Sequence, residues 1–345
     1  MKLDIKNWNI PKEWLKIKTI DVHVEGEPLR IILEGLPNIP GKTILEKRNY
    51  FLKNLDHFRK ALIWEPRGHA DMYGAVITEP ENEESDFGVL FLHNEGLSTM
   101  CGHGIIGLVT AVLETDMLPK KTPFTEIKID TPAGLIKAFG RIENNRVKSV
   151  KFQNVPSFVY ALDKISEVPG VGKVKYDIAF GGAFYAFVQA KEIGIELIPK
   201  NYRKLIDIGM KIKRTVMEVN PPIHPFEKDL SFLYGTIFIG PPQHKNNHSR
   251  NVCIFAEGEV DRSPTGTGLS ARLAIHFKRG EIKIDESMKV ESIIGTKFKG
   301  KIVKKMKYGP YEAIIPEIEG SAYIIGKNEI IINPEDPLKE GFFLR

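Results

Sequence analysis

The sequence predicts a mixed α and β protein built from two related halves, and three observations carry that prediction. The chain has 345 residues, more than the roughly 100–150 of a common single domain. Short apolar runs bounded by glycine or proline alternate with segments whose apolar residues recur every three or four positions. Finally, the block Phe91-Leu-His-Asn-Glu-Gly-Leu-Ser-Thr-Met-Cys-Gly-His-Gly104 is echoed by Phe255-Ala-Glu-Gly-Glu-Val-Asp-Arg-Ser-Pro-Thr-Gly-Thr-Gly268. Both blocks run from a strand through a polar turn into a helix, and both end in Gly-x-Gly. They align at an offset of 164 residues, which sets Cys101 against Thr265. Such an interval far exceeds solenoid periods and reads as a duplicated domain that brings two similar helix starts face to face.

Taken in order, the runs 17–24, 89–93, 178–190, 232–239 and 252–256 read as strands, each short, apolar and bounded by breakers. Segments 47–62, 105–114, 202–219 and 269–277 read as helices from their three-and-four apolar spacing. Thr131-Pro-Ala-Gly134 finds a looser echo in Ser292-Ile-Ile-Gly295, and Val24-Glu-Gly-Glu-Pro28 in Phe180-Gly-Gly-Ala-Phe184 at a different offset. The polar run 241–250 reads as a solvated connection. No low-complexity linker separates the halves.

Composition narrows the function classes. Hydrophobic residues make up 42% and charged residues 27%, enough for a sizeable globular core. The formal net charge is +5, but lysine and arginine are spread among acidic residues rather than gathered into the patch or arm of a nucleic-acid binder. The start lacks the apolar core of a secretory signal, and no stretch nears the roughly 18 apolar residues of a membrane span. The expectation is a cytoplasmic protein acting on a small molecule, with no nucleic-acid or membrane partner. Two cysteines, Cys101 and Cys253, offer no disulfide framework. His23, His69, His93 and His103 are too scattered to propose a zinc site, so no metal is expected. Gly181 and Gly182 do not make a dinucleotide fingerprint, and the block at 261–268 lacks the lysine of a phosphate loop.

The chemistry concentrates at the two helix starts. Gly102 and Gly104 permit an unusual backbone path and close ligand approach beside Cys101. Free N–H groups in a helix's first turn favour an anion, which lowers a thiol pKa and holds a substrate carboxylate. The alternative is that Cys101 is a small buried hydrophobe. Cys253, in Asn-Val-Cys-Ile-Phe, reads as core packing. In the second block Asp261 suits a substrate ammonium, while N–H groups near Gly266 and Thr267 suit its carboxylate. The alternative is that Asp261 only orders the turn and caps the helix.

Met100-Cys-Gly-His-Gly104 and Asp261-Arg-Ser-Pro-Thr-Gly-Thr-Gly268 resemble the paired signatures of the proline racemase family. Asp21-Val-His-Val-Glu-Gly-Glu-Pro-Leu-Arg30, Pro66-Arg-Gly-His-Ala-Asp-Met-Tyr-Gly74 and Asp336-Pro-Leu-Lys-Glu-Gly-Phe342 extend the likeness over nearly the whole chain. The resemblance implies an α+β, diaminopimelate-epimerase-like fold: two related domains, each a β-barrel-like sheet around a central helix, with the site in the cleft between them. One domain would cover 1–155, with a C-terminal strand in 326–345 returning to it, and the other 156–325. It also implies a homodimer and a reaction without cofactor.

One departure carries the functional expectation. Racemases and epimerases of the family have a second cysteine where this chain has Thr265. A threonine hydroxyl is far too weak an acid for the thiol–thiolate exchange that inverts Cα. A branch with threonine there resembles enzymes that dehydrate trans-3-hydroxy-L-proline to Δ1-pyrroline-2-carboxylate and water. The resemblance then implies Cys101 as the base, with Gly102 and His103 against the substrate. Asp261 would meet the ring nitrogen, and Gly266 with Thr267 the carboxylate. His103, with an ordinary pKa near 6.5, is the first candidate to protonate the departing hydroxyl, and Thr265 could instead hydrogen-bond it. Proline racemisation or 4-hydroxyproline 2-epimerisation is the alternative, and a non-catalytic amino-acid binder a third reading.

Overall fold

The computed structural model describes residue 6 and residues 8–345. The first half opens with the antiparallel pair β1 (Leu15–Val24) and β2 (Glu27–Glu34). Helices α1 (Ile44–Asn54) and α2 (Asp56–Ile63) follow. Strand β3 (Gly74–Thr78) lies parallel to β2 and antiparallel to β4 (Phe87–Leu92), which folds back as β5 (Leu97–Ser98). Next come α3 (Gly102–Glu114) and β6 (Phe124–Thr131), parallel to β4. Strands β7 (Gly134–Glu143) and β8 (Arg146–Gln153) complete the half as an antiparallel meander.

The second half repeats these pairings. After β9 (Ser157–Val168), the antiparallel pair is β10 (Gly172–Phe180) and β11 (Phe184–Gln189), followed by α4 (Tyr202–Val219). Strand β12 (Leu233–Gly240) is parallel to β11 and antiparallel to β13 (Ser249–Phe255), which folds back as β14 (Glu259–Val260). Helix α5 (Gly266–Lys278) leads to β15 (Ser287–Glu291), parallel to β13, and to the antiparallel β16 (Lys297–Tyr308) and β17 (Tyr311–Gly320). Finally β18 (Ala322–Ile332) returns to pair with β1.

Strands β9, β10, β11, β12, β13, β15, β16 and β17 pair in succession, and β17 closes on β9 to make a barrel. Helix α5 packs against β9, β10, β11, β16 and β17 of that barrel. The sheet of the first half joins it through β8 and β17, and α3 packs against β1, β2, β7, β8 and β18. Every residue of α3 from Gly102 to Leu113 is buried. A helix apolar on all sides has to be enclosed, and burying each of Ile105, Ile106, Leu108 and Val109 is worth roughly 1.5–3 kcal/mol. That packing, rather than intrinsic propensity, holds a helix that begins with two glycines.

Several elements differ from the sequence expectations. The segment 47–62 is two helices. The first starts at Ile44 behind a capping box of Thr43 and Glu46 and stops at Leu55, whose backbone (φ −125°, ψ 8°) leaves the helix. Apolar spacing continues across the break, so periodicity does not reveal it. The run 178–190 is a hairpin turned at Gly181 and Gly182. Gly182 has φ +101°, and a Cβ there would lie 2.9 Å from Met100 Cβ. From 178 to 188 both strands are buried on both faces, which erases the alternation that separates one strand from two. Gly26, with φ +97°, makes the matching turn between β1 and β2. Both central helices begin three residues before their apolar periodicity, at the glycines. The connection at 241–248 is pinned, because Gln243 N–H, His244 N–H and Asn247 Nδ2 all donate to Glu291. Among the described residues no helix is long and apolar enough to cross a membrane.

Candidate active site

The first turns of α3 and α5 meet backbone to backbone. A Cβ on Gly102 would lie 2.6 Å from Gly266 Cα, and a Cβ on Gly266 would lie 2.8 Å from Gly102 Cα. Only glycine at both places allows this approach. A narrow, nearly closed cavity of about 10 Å³ sits where the two helix starts converge. Its lining includes every residue the sequence singled out: Cys101, Gly102, His103, Asp261, Thr265, Gly266 and Thr267.

Cys101 caps α3 from an extended backbone (φ −141°), and its Sγ accepts the Gly104 N–H at 3.2 Å. His103 Nδ1 lies 3.2 Å from the same sulfur. Burial pushes the Cys101 thiol well above its ordinary value. The Gly104 N–H and the nearby Tyr73 hydroxyl oppose that rise, while the charges of Asp261 and Glu27 add to it. This reverses the expectation of a thiol made acidic by its helix start. A helix end is worth up to about 2 kcal/mol to an anion, less than the loss of hydration in a closed cavity. His103 also departs from its ordinary value: burial takes its imidazole down to about 3, so it is neutral at pH 7. It meets the Tyr73 ring edge-on at 4.7 Å.

On the other side, burial pushes Asp261 up to about 6, and its Oδ1 accepts the Ser263 N–H at 2.7 Å. Thr265 caps α5 with φ +65° and ψ 93°. A β-branched residue in that region carries strain of order 1–3 kcal/mol. Its Oγ1 is buried without a hydrogen-bond partner, although Asp261 and Cys253 lie near enough to be influenced by it. The two caps are related but not equal. A Cβ on Gly104 would meet Cys101 Sγ at 3.1 Å, and a Cβ on Gly268 would meet Thr265 Cγ2 at 3.0 Å. The Thr265 methyl group thus lies against the first turn of α5 as the Cys101 sulfur lies against that of α3.

Sequence reasoning missed several lining groups. Tyr73 OH lies 2.6 Å from Ser98 Oγ and 3.3 Å from Tyr234 OH, and Tyr185 OH lies 2.6 Å from Thr267 Oγ1. Tyr73 sits in the motif at 66–74, the one signal available for it. Tyr185 and Tyr234 stand in aromatic strand segments beside Phe184, Phe187 and Phe232, which look alike in sequence. Cys253 is fully buried, as core packing requires, but it also lines this cavity. A larger cavity of about 770 Å³ beside 194–199 and 241–243 shares no lining residue with it. Among the described residues no group of three or more His, Cys, Asp or Glu is placed to hold a metal ion.

The family model described as proline racemase matches residues 19–343. The chain belongs to the proline racemase family. Among its relatives in that family, a trans-3-hydroxy-L-proline dehydratase of Colwellia psychrerythraea is 48% identical over 334 residues, covering 97% of this chain and 94% of the relative. A proline racemase of Acetoanaerobium sticklandii is 45% identical over 327 residues, covering 94% and 98%. The crystal structure of a hydroxyproline epimerase from Agrobacterium vitis, with trans-4-hydroxy-L-proline bound, superposes with a TM-score of 0.90 at 30% identity. That match covers 96% of each chain. The proline racemase family thus includes both isomerases and dehydratases on the α+β fold described above, and the caps of the two helices become the residues to compare.

Proposed function

We propose that this member of the proline racemase family dehydrates trans-3-hydroxy-L-proline to Δ1-pyrroline-2-carboxylate and water, with Cys101 as its single base. The observation that carries this reading is that Cys101 and Thr265, the first residues of the two helix starts, line one cavity, and only the first carries a thiol. One face of Cα meets a sulfur, and the other meets a threonine, too weak an acid to return a proton there. The 48% identity to a trans-3-hydroxy-L-proline dehydratase supports the same choice.

In this reading residues 1–155, with 326–345 returning to them, form one domain and 156–325 the other, and the substrate lies in the cleft between them. Its carboxylate takes the N–H groups of Gly266 and Thr267, its ring ammonium pairs with Asp261, and Gly102 and His103 lie against the ring. The ammonium offsets the Asp261 charge beside Cys101 and so favours the thiolate. The thiolate takes the Cα proton. The electron pair of that C–H bond forms the Cα–Cβ double bond, and the C–O bond to the 3-hydroxyl breaks. The enamine then tautomerises to the cyclic imine. Electrons stay within these bonds, so the scheme calls on no cofactor.

Substrate stereochemistry bears on the proton donor. A 3-hydroxyl trans to the carboxylate lies on the same ring face as the Cα hydrogen, and hence on the side of Cys101. The neutral His103, 3.2 Å from Sγ, stands on that side and suits relay of the proton from the new thiol to the departing hydroxide. Thr265 stands opposite, where its part is to fill space against the ring. A homodimer working in the cytoplasm on a free amino acid completes the reading.

A second reading, proline racemisation or 4-hydroxyproline 2-epimerisation, draws on Cys253, a further thiol in the same cavity. Incubation of the reduced protein with trans-3-hydroxy-L-proline tests the choice. Δ1-Pyrroline-2-carboxylate from the wild type and none from Cys101→Ser supports dehydration. Absence of product, with loss of optical purity in proline or 4-hydroxyproline, supports the second reading instead.

A further inference from the structure

We propose that Arg272 and Asn251 are positioning residues for this reaction, forming a buried relay that holds the turn carrying Thr265 in its unusual backbone conformation. The proposal rests on the single-base reading above. Arg272, in α5, is 3% exposed, and its Nη1 donates to Asn251 Oδ1 at 2.9 Å. Asn251, in β13 and fully buried, donates through Nδ2 to the Pro264 carbonyl at 3.2 Å. That carbonyl belongs to the peptide entering Thr265, the residue with φ +65°. Within the turn itself, Ser263 Oγ accepts the Thr265 N–H at 3.2 Å, and Thr265 O accepts the Leu269 N–H at 2.7 Å. The relay therefore ties a strained turn to the barrel wall.

The duplicated half serves as an internal control. At the offset that matches Thr265 to Cys101, Arg272 corresponds to Leu108 in α3. Asn251 corresponds to Phe87 in β4. Neither polar group exists there, and neither does the strain, because Cys101 has an ordinary extended backbone. Strain and clamp thus occur together in one half and are both missing from the other.

The arginine is also a poor choice on packing grounds. Burial lowers it to about 10, so it stays charged at pH 7, and its Nε has no partner. A buried guanidinium with no carboxylate in direct contact, only the more distant charge of Glu281, is disfavoured unless its hydrogen bond does something a leucine cannot. Here it fixes, through Asn251, a carbonyl one peptide away from the group that faces the substrate opposite Cys101. Relaxing the turn would swing Thr265 off the ring while leaving the α5 N–H groups in their helix, so turnover suffers more than binding.

Asn251→Asp separates positioning from structural support. Aspartate still accepts from Arg272, and gives it a counter-charge, but has no N–H for the Pro264 carbonyl. The expected result is a melting temperature at or above wild type, kcat for trans-3-hydroxy-L-proline down by about tenfold or more, and KM changed less than roughly threefold. A crystal structure of the variant should show Thr265 leaving positive φ. Should Asn251→Asp fail to fold, Arg272→Leu, carrying the residue of the matching helix, is read for the same changes. Wild-type kcat with Thr265 still at positive φ overturns the proposal. If the wild type itself forms no product, the dehydration reading fails, and Thr265 φ in the variant structure still decides the positioning claim.

Discussion

Gly102 and Gly266 touch across the junction of the two halves, each so close that a Cβ on either would lie under 3 Å from the other's Cα. This contact fixes the spacing of the two helix starts, and with it the distance between the caps Cys101 and Thr265. Gly266→Ala is expected to force the helices apart, since backbone cannot yield as a side chain does. Overpacking of this kind costs about 1–3 kcal/mol, and a shift of about 1 Å at a reacting centre costs on the order of a hundredfold in rate. Chemical denaturation together with steady-state kinetics checks both figures.

Asp261 links the site to stability. Its folded-state pKa of about 6 lies above the ordinary 3.8, so the native state binds this proton more tightly than the unfolded chain. The contribution is fully present below about 3.8 and is lost as pH rises through about 6, amounting to roughly 3 kcal/mol at neutral pH and above. Asp261→Asn should therefore be more stable than wild type at pH 8 and about equal at pH 3.5, while losing substrate binding. Urea unfolding of both proteins at the two pH values measures this. Equal stability differences at both would show that burial does not hold the carboxyl up.

Tyr73 opposes the rise of the Cys101 thiol. Tyr73→Phe should move thiolate formation to higher pH, and the alkaline activity profile with it. Thiolate ultraviolet absorbance, followed in a Cys253→Ala background so that one sulfur titrates, reads the shift. An unchanged midpoint would remove Tyr73 from the list of groups that favour the thiolate.

Thr265→Cys places a second sulfur on the cap of α5. It should let the protein invert Cα of proline and not only exchange its hydrogen, while dehydration falls. Polarimetry on L-proline checks the gain. The positive φ of position 265 works against full efficiency, since a cysteine there inherits the same strain.

Much of this site was legible because its chemistry is local. Glycines flanking a cysteine, and the matching Asp-Arg-Ser-Pro-Thr-Gly-Thr-Gly, mark two helix starts without any knowledge of their packing. Helix α4 was readable from end to end because it keeps one exposed face, so its apolar spacing survives. The turn at Gly181 and Gly182 was not, because the end of β10 and the start of β11 that flank it are buried on both faces. The break at Leu55 was hidden by apolar spacing that runs straight through it. Tyr185 and Tyr234 reach the cavity through strand register alone. The directions of the Cys101 and His103 shifts were also out of reach: a helix start is visible in sequence, but the closure that dries the cavity comes from residues far apart in the chain.

One base on one face of Cα leaves its mark on L-proline in deuterium oxide, a substrate with no group to eliminate. Mass spectrometry and optical rotation are followed together on the wild-type protein. Deuterium should enter Cα with retention, so that rotation holds while mass rises, and Cys101→Ser should abolish the exchange. Rotation falling in step with deuterium uptake would contradict a single base, because a second acid would then be serving the face where Thr265 stands.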